Sequence, residues 1–130
     1  MRKFDVIDPW HHEERYTFST AVRRGAFLFI SGVIARDPGT GQIGGKGDIV
    51  EQTDFIFRKI GTILEAAGGS FDDVVKTTDY VTTLERYGET ADVRRKYFKN
   101  GFPAATGVVV KALVNPEALI EIDAIAILDK

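Results

Sequence analysis

The segment Leu119-Ile120-Glu121-Ile122-Asp123-Ala124-Ile125-Ala126-Ile127 decides the fold, because apolar and acidic side chains alternate at its start. Strand side chains project alternately to two faces, which puts Glu121 and Asp123 on one face, roughly 7 Å apart along the strand. The acidic face has two interpretations. It either faces solvent or a subunit interface with ion pairs, or it holds a carboxylate that activates a water in a cleft.

The other elements are predicted outward from this strand. A helix begins after the N-cap residue Asp48, follows a 3.6-residue apolar period and stops at Gly68-Gly69. A second helix is predicted over Tyr87–Asn100. Strands are predicted at Lys3–Ile7, Thr17–Arg23, Ala26–Ser31, Val74–Thr83, Thr106–Leu113 and Leu119–Leu128, with a short edge at Gln42-Ile43.

This order, β-β-β-α-β-α-β-β, predicts an α+β fold, with two helices on one face of a mixed six-stranded sheet. The continuous apolar run in Ala26–Ser31 predicts a central strand that is buried on both faces. A chain of 130 residues forms one domain, residues 1–130, and has no further layer for the other face of the sheet. We therefore expect a second subunit to cover that face.

Composition excludes several functions. The chain has no cysteine, which excludes disulfides, thiolate nucleophiles and thiolate metal sites. A net charge of -2 argues against nucleic-acid binding, and no apolar run is long enough for a membrane span or a signal peptide. We expect a cytoplasmic protein without nucleic-acid or membrane partners.

Histidine chemistry is also disfavoured. His11 and His12 are the only histidines, and adjacent side chains diverge in both strands and helices. The segment from His11 to Glu14 is either a solvated turn, which we favour, or a metal site that lacks an evident third ligand. No phosphate-binding glycine motif is present, and we expect no metal and no cofactor.

The chain resembles the RidA (reactive intermediate deaminase, YjgF-like) family. The resemblance runs from about Thr17 to Leu128. It rests on Phe29-Ile30-Ser31-Gly32, Asp37-Pro38-Gly39-Thr40-Gly41, Leu64 to Ser70, Asp73 to Thr78, Pro103-Ala104 and Ile120 to Ala126. It implies a chorismate-mutase-like fold, a homotrimer with clefts between subunits, and hydrolysis of imines without a cofactor. Some family members were named endoribonucleases, which the acidic composition does not support.

The resemblance assigns positions of the family's site to residues of this sequence. Glu121 matches the glutamate associated with the catalytic water, and Ser31-Gly32 matches a backbone turn at the substrate. Ala105 stands where imine-hydrolysing members carry an arginine that grips the substrate carboxylate. The other predicted substrate-binding residues are Phe18, Tyr87, Ala91, Thr106, Gly107 and Arg36.

The small residues Ala105 and Gly107 leave two explanations open. They serve close packing at an interface, or they make room for a larger substrate. Arg36 or Lys111 could replace the positive charge of the missing arginine. The alternative is that each of them is an ordinary surface charge. We expect hydrolytic deamination of an enamine or imine within catabolism, on a small-molecule substrate other than small 2-imino acids. The alternative is a non-catalytic trimer that binds a metabolite or a partner protein.

Overall fold

Six strands and two helices form the described part of the chain, residues 2–12 and 15–129 of a computed structural model. The expected order of elements is confirmed. The strands are β1 (Asp5–Ile7), β2 (Ala21–Arg24), β3 (Phe27–Val33), β4 (Val74–Val81), β5 (Ala104–Val109) and β6 (Ile120–Ile127). The helices are α1 (Ile49–Ala66) and α2 (Thr90–Tyr97).

The strands form one mixed sheet in the order β1-β2-β3-β6-β4-β5. Only β4 and β5 pair in parallel, because α2 carries the chain back across the sheet between them. β6 lies between β3 and β4, antiparallel to both. The alternating C-terminal segment is therefore a central strand.

Helix α1 supplies most of the layer that covers the sheet. The Asp48 carboxylate accepts hydrogen bonds from the backbone N–H groups of Val50 and Glu51 and so caps the helix. Gly68 ends it with a φ of +82°, which favours glycine. The buried apolar residues of α1 face the sheet and α2: Ile49, Ile56, Phe57, Ile60, Ile63 and Leu64.

Both sheet faces can be followed on β6. Ile120, Ile122 and Ala124 are buried under α1 on what we call the helix face. Glu121 and Asp123 lie on the opposite, open face, as their alternation predicted. The prediction that β3 is buried on both faces is wrong for the single chain. Phe27 and Phe29 lie on the open face and are 48% and 46% exposed, because both helices pack on the other side.

Several predicted boundaries also shift. The region predicted as one long helix begins as a 3₁₀ turn at Tyr87–Glu89, and α2 itself is only eight residues long. β5 begins at Ala104 rather than Thr106, because its parallel pairing with β4 starts there, opposite Lys76. The expected edge strand at Gln42-Ile43 is a single bridge between Arg36 and Ile43.

Candidate active site

A cavity of about 430 Å³ opens beside the segment that links β3 to the following loop. It is in the size range of clefts that bind small molecules, roughly 300–1,000 Å³. Five of the predicted site residues line it: Phe18, Ser31, Gly32, Arg36 and Glu121. The remaining lining residues are Trp10, His12, Tyr16, Thr20, Val33, Ile34, Lys59, Ile63, Val114 and Asn115.

The acidic group of this cavity is Glu121, which β6 places on the open face of the sheet. Burial raises the pKa of its carboxyl above the usual value, and the negative charge of Asp123 raises it further. The Glu121 carboxylate makes no hydrogen bond or ion pair with any residue that the structure describes. Its oxygens are therefore available to a water or a substrate.

Gly32 determines where the Glu121 side chain can lie. A Cβ atom built on Gly32 would overlap Oε2 of Glu121, so only glycine allows the carboxylate to lie against β3. The adjoining Ser31 is held by two contacts. Its hydroxyl donates to the carbonyl of Ser19 at 2.6 Å, and its N–H donates to the carbonyl of Thr20 at 3.0 Å. The Ser31-Gly32 segment is thus a fixed wall beside the acid.

Aromatic side chains from the N-terminal segment form a second wall. Tyr16 and Phe18 stack with their ring centroids 5.1 Å apart and their planes 26° apart. His12 meets Tyr16 at 6.2 Å and Trp10 at 6.5 Å, which continues the row. The family position at Phe18 was carried over, whereas the other three aromatic residues were not predicted as site residues. They lie outside any regular element, so no periodic pattern marks them.

Lys59 reaches the cavity from α1 and was also missed. Its ammonium group donates to the carbonyls of Ile34 and Arg36, at 3.2 and 2.8 Å, and lies 5.4 Å from the Trp10 ring centroid. Burial lowers its pKa to about 8, and the positive charge of Arg36 contributes to the shift. No feature of the sequence marks Lys59 as a site residue, because a lysine on an amphipathic helix is normally exposed to solvent.

Arg36 brings a second positive charge to the cavity. The structure describes no hydrogen bond or ion pair for its guanidinium group within residues 2–12 and 15–129. Its Nη2 atom lies 3.2 Å from the position of a Cβ on Gly41, where φ is +78°. Among the described residues, Arg36 is therefore a cation without a partner, and it borders the same cavity as Glu121. Lys111, the other predicted replacement cation, does not line this cavity.

The other predicted site residues, on β5 and around α2, lie apart from the cavity. Ala105 and Gly107 pair with the buried residues Thr77 and Asp79, and therefore project on the helix face. Thr106 points to the open face, where its hydroxyl accepts a hydrogen bond from the Lys76 ammonium at 2.6 Å. Tyr87 precedes α2 and Ala91 belongs to it, and neither residue lines the cavity. Glu121 and Ala105 thus project from opposite faces of one sheet.

The space next to Gly107 is already occupied. The Tyr87 hydroxyl lies 2.7 Å from the position of a Cβ on Gly107, and it donates to Oδ2 of Asp79 at 2.6 Å. Asp79 is only 3% exposed, and the same Oδ2 accepts a hydrogen bond from the Arg94 guanidinium. Burial of the Tyr87 hydroxyl and its hydrogen bond to Asp79 raise the pKa of Tyr87 to about 12. Within one chain, Gly107 makes room for Tyr87.

The described residues contain no cluster of three His, Cys, Asp or Glu side chains that could hold a metal ion. Glu13 and Glu14, the acidic half of the motif considered above, lie outside the described residues. In the described part of the chain, no helix combines the length and the apolar character that a bilayer span requires.

Comparisons with known proteins find a matching family model and related sequences over most of the chain. The family model described as endoribonuclease L-PSP matches residues 12–128. A RutC family protein of Pyrococcus horikoshii is 44% identical over 109 residues, covering 84% of this chain and 85% of that protein. The human 2-iminobutanoate/2-iminopropanoate deaminase is 36% identical over 110 residues, covering 85% of this chain and 79% of the human protein.

A solved structure agrees with these relatives. A protein of unknown function of the conserved Rid family, from Yersinia pestis, superposes with a TM-score of 0.87 at 33% identity. The alignment covers 96% of this chain and 99% of that one. The sheet with two helices on one face is therefore the fold of that protein as well.

Proposed function

Because this chain belongs to the YjgF/RidA family, we propose that it hydrolyses a reactive imine or enamine to a carbonyl compound and ammonia. The family includes proteins named as imine deaminases in human and mouse. The observation that carries the proposal is the half-buried Glu121 carboxylate. It faces the cavity and has no hydrogen-bond or ion-pair partner among the described residues.

The reaction needs one water and one proton carrier. The water oxygen bonds to the imine carbon, while Glu121 takes a proton from that water and delivers it to nitrogen. Glu121 then carries the second water proton from the new hydroxyl group to nitrogen. The carbon–nitrogen bond breaks and ammonia leaves, so that one imine and one water give one carbonyl compound and one ammonia. A carboxyl with a pKa raised by burial suits both halves of this transfer. An enamine first takes a proton at carbon and loses one from nitrogen, which gives the imine.

The substrate differs from that of relatives named for 2-iminobutanoate and 2-iminopropanoate. Ala105 has no side-chain donor at the position where the resemblance places a carboxylate-binding arginine. Loss of a charge-assisted bidentate contact weakens binding of a small carboxylate, typically by about 1.5–3 kcal/mol. We therefore propose a substrate that is larger than small 2-imino acids.

A homotrimer is part of the proposal. Glu121 and Ala105 project from opposite faces of the sheet, so they can border one cleft only if different subunits contribute them. The open face also carries exposed apolar side chains, among them Phe27, Phe29 and Ile127. Burial of this surface against other copies would provide the driving force for assembly.

A second candidate function is binding without turnover. The observation that favours it is Tyr87, whose hydroxyl fills the space beside Gly107, two residues from the position where the resemblance places the carboxylate-binding arginine. The same trimer would then hold a metabolite or a partner segment at the cavity without hydrolysing it.

Ammonia release from freshly generated imines and enamines tests the proposal. The panel contains small 2-imino acids, larger 2-imino acids and imines without a carboxylate. Turnover should be lost in Glu121→Gln and retained in Asp123→Asn, a matched acid on the same face of β6. Equal turnover by the native protein and Glu121→Gln would refute the role of Glu121, and no turnover of any compound would favour the binding function.

A further inference from the structure

The cavity combines an aromatic wall with a cation that has no partner among the described residues, and these two features specify a substrate class. We propose that the substrate is a 2-imino acid with a planar aromatic side chain, with its ring against Tyr16 and Phe18 and its carboxylate on Arg36. This inference rests on the proposed function, because it places the imine carbon near Glu121 in the same cavity.

The aromatic wall is built to receive a ring. Tyr16 and Phe18 already stack on each other, and they remain 38% and 57% exposed where they border the cavity. A ring that continues this stack gains contact area and a favourable offset or edge geometry. Such a pairing strengthens binding by about two- to tenfold beyond the burial of apolar surface.

Arg36 supplies the complementary group for a carboxylate. Its guanidinium has no anionic partner within the described residues, although Glu121 borders the same cavity. A planar guanidinium forms two parallel hydrogen bonds to a carboxylate, which also sets the orientation of the ligand. Arg36 thus provides, on the β3 side of the cleft, the type of group that is missing at Ala105.

Lys59 holds the backbone that carries Arg36. Its ammonium group donates to the carbonyls of Ile34 and of Arg36 itself, which ties this segment to α1. Two of its three N–H donors are therefore committed to the protein. We regard Lys59 as a positioning residue that also adds positive potential, while Arg36 makes the contact with the ligand.

The residues that line the cavity favour the aromatic compound over a small one. The cavity volume is about 430 Å³, and its lining runs from the Tyr16–Phe18 pair to Arg36 and Glu121. An alkyl imino acid of three or four carbons has no ring to place against Tyr16 and Phe18. An aromatic imino acid carries both a ring and a carboxylate, the two groups that the aromatic wall and Arg36 complement.

Binding can be measured without turnover, because Trp10 is the only tryptophan of the chain and lines the cavity. The probes are 3-phenylpropanoate, propanoate, which lacks the ring, and 3-phenylpropanamide, which lacks the charge. We expect saturable quenching of Trp10 fluorescence, with 3-phenylpropanoate binding at least tenfold more tightly than either control compound. Similar affinities for 3-phenylpropanoate and propanoate, or no saturable response to 3-phenylpropanoate, would overturn the proposal.

Two variants test separately what Arg36 and the aromatic wall contribute to binding. Arg36→Met should weaken 3-phenylpropanoate binding about tenfold or more and leave 3-phenylpropanamide unchanged. Tyr16→Leu should weaken both ring-bearing probes two- to tenfold and leave propanoate unchanged. Arg95→Met and Phe4→Leu are matched controls, because these exposed residues lie away from the cavity, and they should change nothing. Wild-type affinity in Arg36→Met or in Tyr16→Leu would overturn the corresponding contact.

Turnover separates this inference from the function on which it rests. If the native protein hydrolyses aromatic and small alkyl imino acids equally well, the deaminase function stands and the substrate class is wrong. If it binds 3-phenylpropanoate selectively but hydrolyses no imine, the two walls stand and the deaminase function fails. Selective hydrolysis of the aromatic imino acid, reduced by Arg36→Met, supports both.

Discussion

The hydroxyl of Tyr87 lies 2.7 Å from the position that a Cβ atom on Gly107 would occupy. Gly107 therefore allows Tyr87 to reach over β5 and donate to the buried Asp79 carboxylate. Arg94 completes this group, since its guanidinium contacts the same carboxylate oxygen and both the hydroxyl and the carbonyl of Thr90. A network of this kind joins α2 to the two strands beneath it.

Gly107→Ala should destabilise the fold, because the new methyl group must displace the Tyr87 hydroxyl from Asp79. We expect a loss of about 1–3 kcal/mol in the free energy of unfolding, measured by urea denaturation. The loss should shrink in a Tyr87→Phe background, where no hydroxyl meets the methyl. Gly88→Ala is the control, since nothing lies within 4 Å of a Cβ there. Equal costs in both backgrounds would contradict the role of the hydroxyl.

Arg94→Met should be more damaging, because it leaves the buried Asp79 carboxylate without its counter-charge. Removal of one partner from a buried pair costs about 3–5 kcal/mol. The double variant Arg94→Met with Asp79→Leu removes both charges and should recover much of that loss. Denaturation curves of the two single variants and the double variant measure the coupling, and additive losses would show that the two charges act independently.

Gly32→Ala should lower the rate of turnover while the sheet still forms. The added methyl group overlaps the Glu121 carboxylate, which has to rotate away from the Ser31-Gly32 wall. We expect at least a tenfold loss of ammonia release, with circular dichroism and thermal midpoint close to the native values. Activity at the native level would mean that the position of the Glu121 carboxylate against β3 is irrelevant to turnover.

The pH dependence of turnover should report on Glu121. As a proton acceptor it works when ionised, so activity falls as the pH drops through its pKa, which is raised above the ordinary value of a glutamate carboxyl. Burial is the larger cause and Asp123 the smaller one. Asp123→Asn should therefore move the acidic limb of the profile only part of the way down, whereas the remote Asp92→Asn should not move it. A limb that stays in place in Asp123→Asn would exclude the electrostatic contribution.

Glu121→Gln should not destabilise the protein. A half-buried carboxyl with a raised pKa binds its proton more tightly in the folded state, so its ionised form weakens folding above that pKa. The neutral amide removes this penalty, and we expect an unfolding free energy at pH 7 that equals or exceeds that of the native protein. Urea denaturation at pH 7 measures it, and a clear loss of stability would point to an unrecognised structural contact of the carboxylate.

Local signals in the sequence determined most of the fold. Alternation in β6, the capping residue Asp48 and the stop at Gly68 act through neighbouring backbone groups, so they can be read without knowledge of distant contacts. The resemblance to a known family selected Glu121 from the two acids of β6 and added Ser31-Gly32, which the structure brings to the same cavity as Glu121. The boundary of α2 and the exposed face of β3 could not be predicted in this way, because packing decides them.

Only the tertiary structure decided how the chemical groups are combined. Lys59 and Tyr16 are far from Glu121 in sequence, and no spacing rule relates them to the cavity that they share with it. Gly107 suggests an open pocket in the sequence, whereas Tyr87 occupies the space in the folded chain. The physical reason is that a strand pattern determines which face a side chain projects from, while its neighbours on that face come from segments brought there by the fold.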